Sequence, residues 1–285
     1  MNTIILETHC IGDSITAFPA LYLLAQQEKF QLWIKNRNAA KLMFPQENII
    51  MLEDEPMAGL VYESPMIYDK YHKSDRHMIR AWISVFGLKQ PEQFPIPILN
   101  YEKQNVPTFD VVLSPFSHSE GGKKWDYEQW NRVVEYLESK NIAYTILSND
   151  QYYNNDITPF LGKNHTRNQS LDVVLSIIEK AKLVISIDNG ISHLTHFLGT
   201  PHILLYPSDL FSKFWSMNFR ENCTSLEGPV KDIKLEDVIG AIDHQLGMKD
   251  VNSICSDEVK KSGEVSSSVL PEVCGEVCTS TGCGC

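Results

Sequence analysis

Three short stretches of this chain carry residue types that can grip a phosphate or move a proton. The richest is Asp188-Asn189-Gly190-Ile191-Ser192-His193, which follows the apolar run Leu183–Ile187 and leads into Leu194-Thr195-His196-Phe197-Leu198. An apolar strand that ends on an acid, turns at a glycine and enters a helix points backbone N–H groups at the place where an anion would sit. In that reading the N–H groups and Ser192 hold a diphosphate, while Asp188 or His193 fixes the nucleotide side. A plainer reading stands beside it, in which Asp188 or Asn189 only caps the helix.

The second stretch, Ser117-His118-Ser119-Glu120-Gly121-Gly122-Lys123-Lys124-Trp125, also follows an apolar run and precedes a helical pattern. Glycines beside lysines suit a phosphate, Ser117 and Ser119 add neutral donors, and Lys123 supplies the compact positive charge that a leaving pyrophosphate needs. The spacing is not that of a P-loop, and a solvated surface loop is the alternative. The third is Gly12-Asp13 after the first strand, where Asp13 is either a general base facing a cleft or part of an ordinary turn and helix cap. His72, Lys73 and Arg76 could face the same cleft or simply decorate a helix. Cys10 reads as structural, because nothing beside it marks a lowered pKa.

The elements that must position these residues alternate. Strands are expected at Thr3–Glu7, Phe30–Ile34 and Asn48–Leu52, with a turn at Gly12-Asp13 and a helical stretch Ser14–Gln26 interrupted by Pro19. A helix from about Ser74 to Phe86 buries Ile79, Trp82, Ile83 and Phe86 and closes at Gly87. Pro91, Pro95, Pro97 and Pro107 then read as an interdomain linker. Beyond it come the strand Asp110–Phe116, a helix Tyr127–Ser139 with a capping box of Asp126 and Gln129, the strand Tyr144–Asn149, a helix Leu171–Ala181, the strand ending at Asp188, the strand Ile203–Tyr206 and a closing helix Leu235–Leu246. This pattern is α/β with a mostly parallel sheet.

With 285 residues and 43% hydrophobic composition, the chain can hold one large domain or two domains of Rossmann size. A formal net charge of −11 argues against non-specific nucleic-acid binding. No apolar run approaches the length of a membrane span, and the start MNTIILETHC lacks the pattern of a signal peptide. Only Cys10 and Cys223 precede residue 250, so the body reads as reduced and cytoplasmic.

Taken in order, IGDSITAFPAL, HKSDRHMIRAWISVFGL, FSHSEGGKKWDYEQW and ISIDNGISHLTHFLGTPHILLYP resemble the family-nine glycosyltransferases, the ADP-heptose:lipopolysaccharide heptosyltransferases among them. The resemblance covers roughly residues 3–245. It implies a GT-B fold, with two Rossmann-like domains facing a cleft. The first would be a shortened acceptor-side domain over residues 1–100, and the second a nucleotide-sugar domain over 101–246. It also implies an inverting transfer from a nucleotide-diphosphate sugar to a hydroxyl acceptor, with no cofactor and no metal. By position, Asp13 would deprotonate the acceptor, Lys123 would meet the phosphate, and Asp188, Asn189, Gly190 and His193 would form the turn that grips the diphosphate. Asn189 stands where that family commonly has Ser or Thr.

Residues 247–285 differ from the rest. They hold no aromatic residue and end in LPEVCGEVCTSTGCGC, a composition expected to be disordered in isolation. Thr279, Ser280 and Thr281 among Cys274, Cys278, Cys283 and Cys285 resemble a lanthipeptide-type precursor core, which implies a tail-modifying enzyme as partner. Zinc binding by the four thiols is another reading, although their spacing is not a familiar structural one. Two rivals to a glycosyltransferase follow. One is a non-catalytic nucleotide- or peptide-binding relative; the other is a ribosomally made precursor whose large domain serves as leader or as self-modifying enzyme.

Overall fold

The apolar runs pair into two parallel sheets. The computed structural model describes residues 1–64, 66–67, 77–117, 123–149, 163–207 and 222–248. In the first part of the chain, β1 (Asn2–Glu7), β2 (Phe30–Ile34), β3 (Ile49–Met51) and β4 (Leu60–Glu63) form one sheet in the order β3-β2-β1-β4. Every pairing in it is parallel. Between these strands run α1 (Ile11–Thr16), α2 (Phe18–Ala25) and α3 (Arg37–Leu42), and α4 (Met78–Val85) follows the sheet.

The second sheet is β10-β9-β8-β5-β6-β7, again parallel throughout. Its strands are β5 (Val111–Ser114), β6 (Tyr144–Ser148), β7 (His165–Arg167), β8 (Leu183–Ile187), β9 (His202–Tyr206) and β10 (Cys223–Glu227). Helices α5 (Tyr127–Ser139), α6 (Leu171–Lys180), α7 (Gly190–Leu198) and α8 (Leu235–Gln245) connect or follow them. All residues of β5, β8 and β9 are buried, as strands covered on both faces must be.

Each sheet reverses its winding direction at one place. In the first sheet β2 lies on one side of β1 and β4 on the other; in the second, β6 lies on one side of β5 and β8 on the other. Such switch points leave a crevice beyond the carboxyl ends of the strands, the usual ligand position in open α/β sheets. The carboxyl ends of β1 and β8 carry Asp13 and Asp188 onward from these two points.

Three expectations are corrected. Gly12-Asp13 is not a turn before a helix but lies in the first turn of α1. The stretch Ser14–Gln26 is two helices that part at Ala17, with Pro19 in the first turn of α2, where its missing N–H costs nothing. Asp126 is the N-cap of α5, but its side chain makes no capping hydrogen bond, so the capping box with Gln129 is absent.

The apolar packing does not stop between the sheets. Leu194 and Phe197 of α7, with Leu175 of α6, are buried in the same cluster as Ile4, Leu6, Phe18 and Trp82 of the first part of the chain. Helix α7 is therefore held by both halves of the sequence. Among the described residues no helix is long and apolar enough to cross a membrane.

Candidate active site

Helix α7 begins with its cap fully engaged. Asn189 is the N-cap, in extended backbone conformation, and its Oδ1 accepts from the Ser192 N–H at 3.0 Å. Ser192 closes the box, accepting from the Asn189 N–H and donating from Oγ to the Asn189 carbonyl at 2.6 Å. The other end of the Asn189 amide reaches back to β5. Its Nδ2 donates to Ser114 Oγ at 3.0 Å, the Ser114 carbonyl at 3.3 Å and the Phe116 carbonyl at 2.9 Å. Asn189 thus pins the start of α7 to the end of β5 across the switch point, which a serine or threonine side chain is too short to do in the same way. The plainer reading of this turn holds for Asn189, which caps the helix, and Ser192 joins it as a capping residue, its Oγ and N–H both engaged by Asn189.

Asp188, one residue earlier, is buried at 2% exposure, and Lys123 Nζ lies 2.7 Å from its Oδ2. The lysine is aimed there by the residue two places on. Trp125 is buried, donates its indole N–H to the Ile233 carbonyl at 3.1 Å and packs edge-on against Trp130 of α5. That anchor fixes the segment entering α5 and so the root of the Lys123 side chain, which keeps 16% of its surface exposed.

His193 faces the same carboxylate, with Nε2 at 3.9 Å from Asp188 Oδ1. Burial pushes its imidazole below the ordinary histidine range; Asp188 and Asp13 pull the other way, and Lys123 adds to the depression. The ring is therefore held toward its neutral form. That Asp13 and Lys123 both act on His193 puts the acid of the first sheet within electrostatic reach of the second.

Two glycines make that approach possible. A side chain at Gly12 would place its Cβ 3.0 Å from His193 Cδ2, and one at Gly190 would meet Ile11 Cγ2 at 2.6 Å. The first turns of α1 and α7 therefore touch through their glycines. Asp13, next to Gly12, is held from two sides: Ser64 Oγ donates to its Oδ2 at 2.9 Å, and Thr16 Oγ1 donates to its carbonyl at 2.7 Å. Trp82 Nε1 in turn donates to Thr16 Oγ1 at 3.1 Å.

Of the residues singled out in the sequence, the structure gathers Asp13, Lys123, Asp188, Asn189, Gly190, Ser192 and His193 around the two helix starts. Ser117 follows directly on Phe116, whose carbonyl anchors Asn189. Ser119, His72, Lys73, Arg76 and the Cys-rich tail lie outside the described residues. Cys10, the N-cap of α1, is an exposed free cysteine whose thiol is pushed up by the protein around it and by Asp13, against a pull from Lys123. A raised thiol suits a structural residue rather than a nucleophile.

The glycosyltransferase family 9 (heptosyltransferase) pattern matches residues 50–239, well over half of the chain. The chain belongs to glycosyltransferase family 9. The family 9 match includes Lys123 and Asp188 to His193 but begins after Asp13, whose place rests on the geometry above.

Lipopolysaccharide heptosyltransferase 1 of Escherichia coli strain K12 is 25% identical over 163 residues, covering 54% of this chain and 51% of that protein. The chain thus spans about half the length of the curated relatives it matches. Among solved structures, a family 9 glycosyltransferase from Veillonella parvula superposes with a TM-score of 0.64 at 13% identity, over 87% of this chain and 98% of that one. E. coli heptosyltransferase WaaC with ADP gives 0.59 at 16% identity, over 86% and 100%. The iron-containing dodecameric glycosyltransferase TibC from enterotoxigenic E. coli gives 0.68 at 16% identity, over 86% and 76%. At these identities the likeness is one of fold, and the fold is the GT-B-like α/β arrangement of the family 9 enzymes.

Several residues of the site were not legible in the sequence. Ser64 follows β4, a strand with Leu60 and Val61 exposed and no clear apolar alternation. Ser114 and the Phe116 carbonyl lie at the end of a strand that reads only as core. Tyr206, at the end of β9, is buried with its hydroxyl pushed far up, first by burial and then by the Asp188 charge. The one available signal was topological: Ser114 and Tyr206 end strands, and Ser64 and Phe116 lie just beyond strand ends, in sheets whose switch points are close by.

Proposed function

We propose that the protein is an inverting glycosyltransferase that moves a sugar from a nucleoside-diphosphate donor to a hydroxyl acceptor. The observation that carries this reading is the contact of the two helix starts, Gly12 against His193 and Gly190 against Ile11. It brings the acid of one switch point to the cation and helix N-terminus of the other.

In this reading the diphosphate lies against Lys123 and the N-terminus of α7, where the helix dipole favours negative charge while the Ser192 N–H stays on the Asn189 cap. The acceptor hydroxyl lies on the opposite face of the sugar, beside Asp13. As its oxygen bonds to the anomeric carbon, its proton passes to the Asp13 carboxylate. The bond from that carbon to the diphosphate oxygen breaks, and the departing charge falls on Lys123 and the helix N-terminus. A lysine and a helix N-terminus can supply this neutralisation without a metal. The transition state is oxocarbenium-like, and attack opposite the leaving group inverts the anomeric centre.

The donor class is supported by relatives: WaaC has been solved with ADP and with ADP-2-deoxy-2-fluoro heptose. We infer an ADP-heptose-like donor and a cytoplasmic site of action. The test is a thermal-shift panel of nucleoside diphosphates and nucleotide-sugars, because a ligand bound only by the folded protein raises the melting temperature. A shift with ADP and ADP-heptose is expected. A folded protein that shifts with no member of the panel contradicts the reading.

A further inference from the structure

We infer that Ser64 is a positioning residue for the proposed base Asp13; the inference rests on the reading that Asp13 takes the acceptor's proton.

Ser64 directly follows β4, and β4 lies beside β1 with Glu63 opposite Glu7. That register sets Ser64 at the carboxyl edge of the first sheet, on the far side of the switch point from β2. Asp13 is the third residue of α1, after the N-cap Cys10. A carboxylate at this helix position tends to fold back onto the backbone N–H of its own N-cap. The Ser64 hydroxyl, donating to Oδ2 at 2.9 Å, gives that carboxylate a partner on a different element. The main chain of Asp13 is fixed separately by the buried pair Thr16 and Trp82. One contact therefore sets where Asp13 stands, and the other sets which way its carboxylate points. A base must meet the hydroxyl proton within hydrogen-bond reach, and small misplacements of a reacting group are costly.

The test compares the wild type with Ser64→Ala, Ser64→Thr, Asp13→Ala and the double variant Ser64→Ala/Asp13→Ala. ADP binding is read by thermal shift, and ADP release is followed from ADP-heptose with heptose-free lipopolysaccharide as acceptor. Ser64→Ala is expected to lower kcat by about 10- to 100-fold with the ADP shift and donor KM unchanged. Ser64→Thr, which keeps the hydroxyl, is expected to restore most of that loss. The double variant should be no slower than Asp13→Ala alone. A crystal structure of Ser64→Ala should show the Asp13 carboxylate turned from its wild-type orientation.

Wild-type turnover in Ser64→Ala, failure of Thr to rescue, or an unmoved Asp13 carboxylate in the crystal overturns the role of Ser64 while leaving Asp13 in place. Full turnover in Asp13→Ala removes the base reading itself, and the Ser64 inference with it. Should the wild type release no ADP, the crystal structure still decides whether Ser64 sets the carboxylate.

Discussion

Lys123 Nζ and Asp188 Oδ2 lie 2.7 Å apart at the carboxyl end of the second sheet, with Asp188 almost fully buried. The pair joins two segments that each follow a strand flanking the switch point, β5 and β8. It also presents the lysine where an entering diphosphate would compete with the carboxylate for the ammonium group.

Removing one member of a buried ion pair leaves the other charged and uncompensated, at a cost of about 3–5 kcal/mol. Lys123→Met is therefore expected to melt well below the wild type and to lose its ADP-dependent shift. Lys123→Met/Asp188→Asn should recover much of the stability without recovering the shift. Differential scanning calorimetry with and without ADP reads both effects; an ADP shift retained in Lys123→Met would place the diphosphate elsewhere.

Asn189 predicts a graded series. Asn189→Ser keeps a capping oxygen but loses the three bonds to Ser114 and Phe116, whereas Asn189→Ala loses the cap as well, worth about 1 kcal/mol. Chemical denaturation should rank the wild type above Ser and Ser above Ala. Equal stability of wild type and Ser would show that the tether to β5 contributes nothing.

The interior strands could be read from the sequence because parallel strands buried on both faces are continuous apolar runs. Phe30–Ile34 and the run to Asp188 appear as expected. The strands that escaped are short or sit toward sheet edges: Leu60–Glu63, with Leu60 54% exposed, the three-residue His165–Arg167, and Cys223–Glu227, which is half-buried and largely polar. Asp13, Lys123 and Asp188 could be picked out as chemical types beyond strand ends. Their partners could not, because Ser64 and Ser114 are ordinary residues whose importance comes only from which strands lie side by side. The cap at Asn189 was among the sequence's alternatives, whereas the part of Ser192 in the capping box was not.

The contact between the helix starts predicts intolerance to the smallest enlargement. At Gly190 an added Cβ would meet Ile11 Cγ2 at 2.6 Å, so Gly190→Ala must push α1 and α7 apart or force Ile11 off its rotamer, at a cost of about 1–3 kcal/mol. A fall of several degrees in Tm, with weakened ADP binding, is the expected result. An unchanged Tm would mean that the two helix starts are not in contact in solution.

His193 sets a pH dependence. Its folded-state pKa is depressed by burial, so between the folded and unfolded values the unfolded chain binds the extra proton. The stability tied to the neutral ring is complete above the ordinary histidine pKa of about 6.5 and is lost as pH falls from there through the folded value. His193→Gln should lose less stability than the wild type between pH 7.5 and pH 5.5 in urea titrations. Parallel losses in the two proteins would mean that the ring is not held neutral.

In the proposed reaction Asp13 is the base facing a donor held by Lys123 and the start of α7. That role is read from the turnover of Asp13→Asn, measured as ADP release from ADP-heptose in the presence of heptose-free lipopolysaccharide. The expected result is an ADP-induced thermal shift equal to the wild type's and a kcat lowered by about 10²- to 10⁴-fold, the range lost with a general base. Turnover at the wild-type rate, with the shift intact, would contradict it.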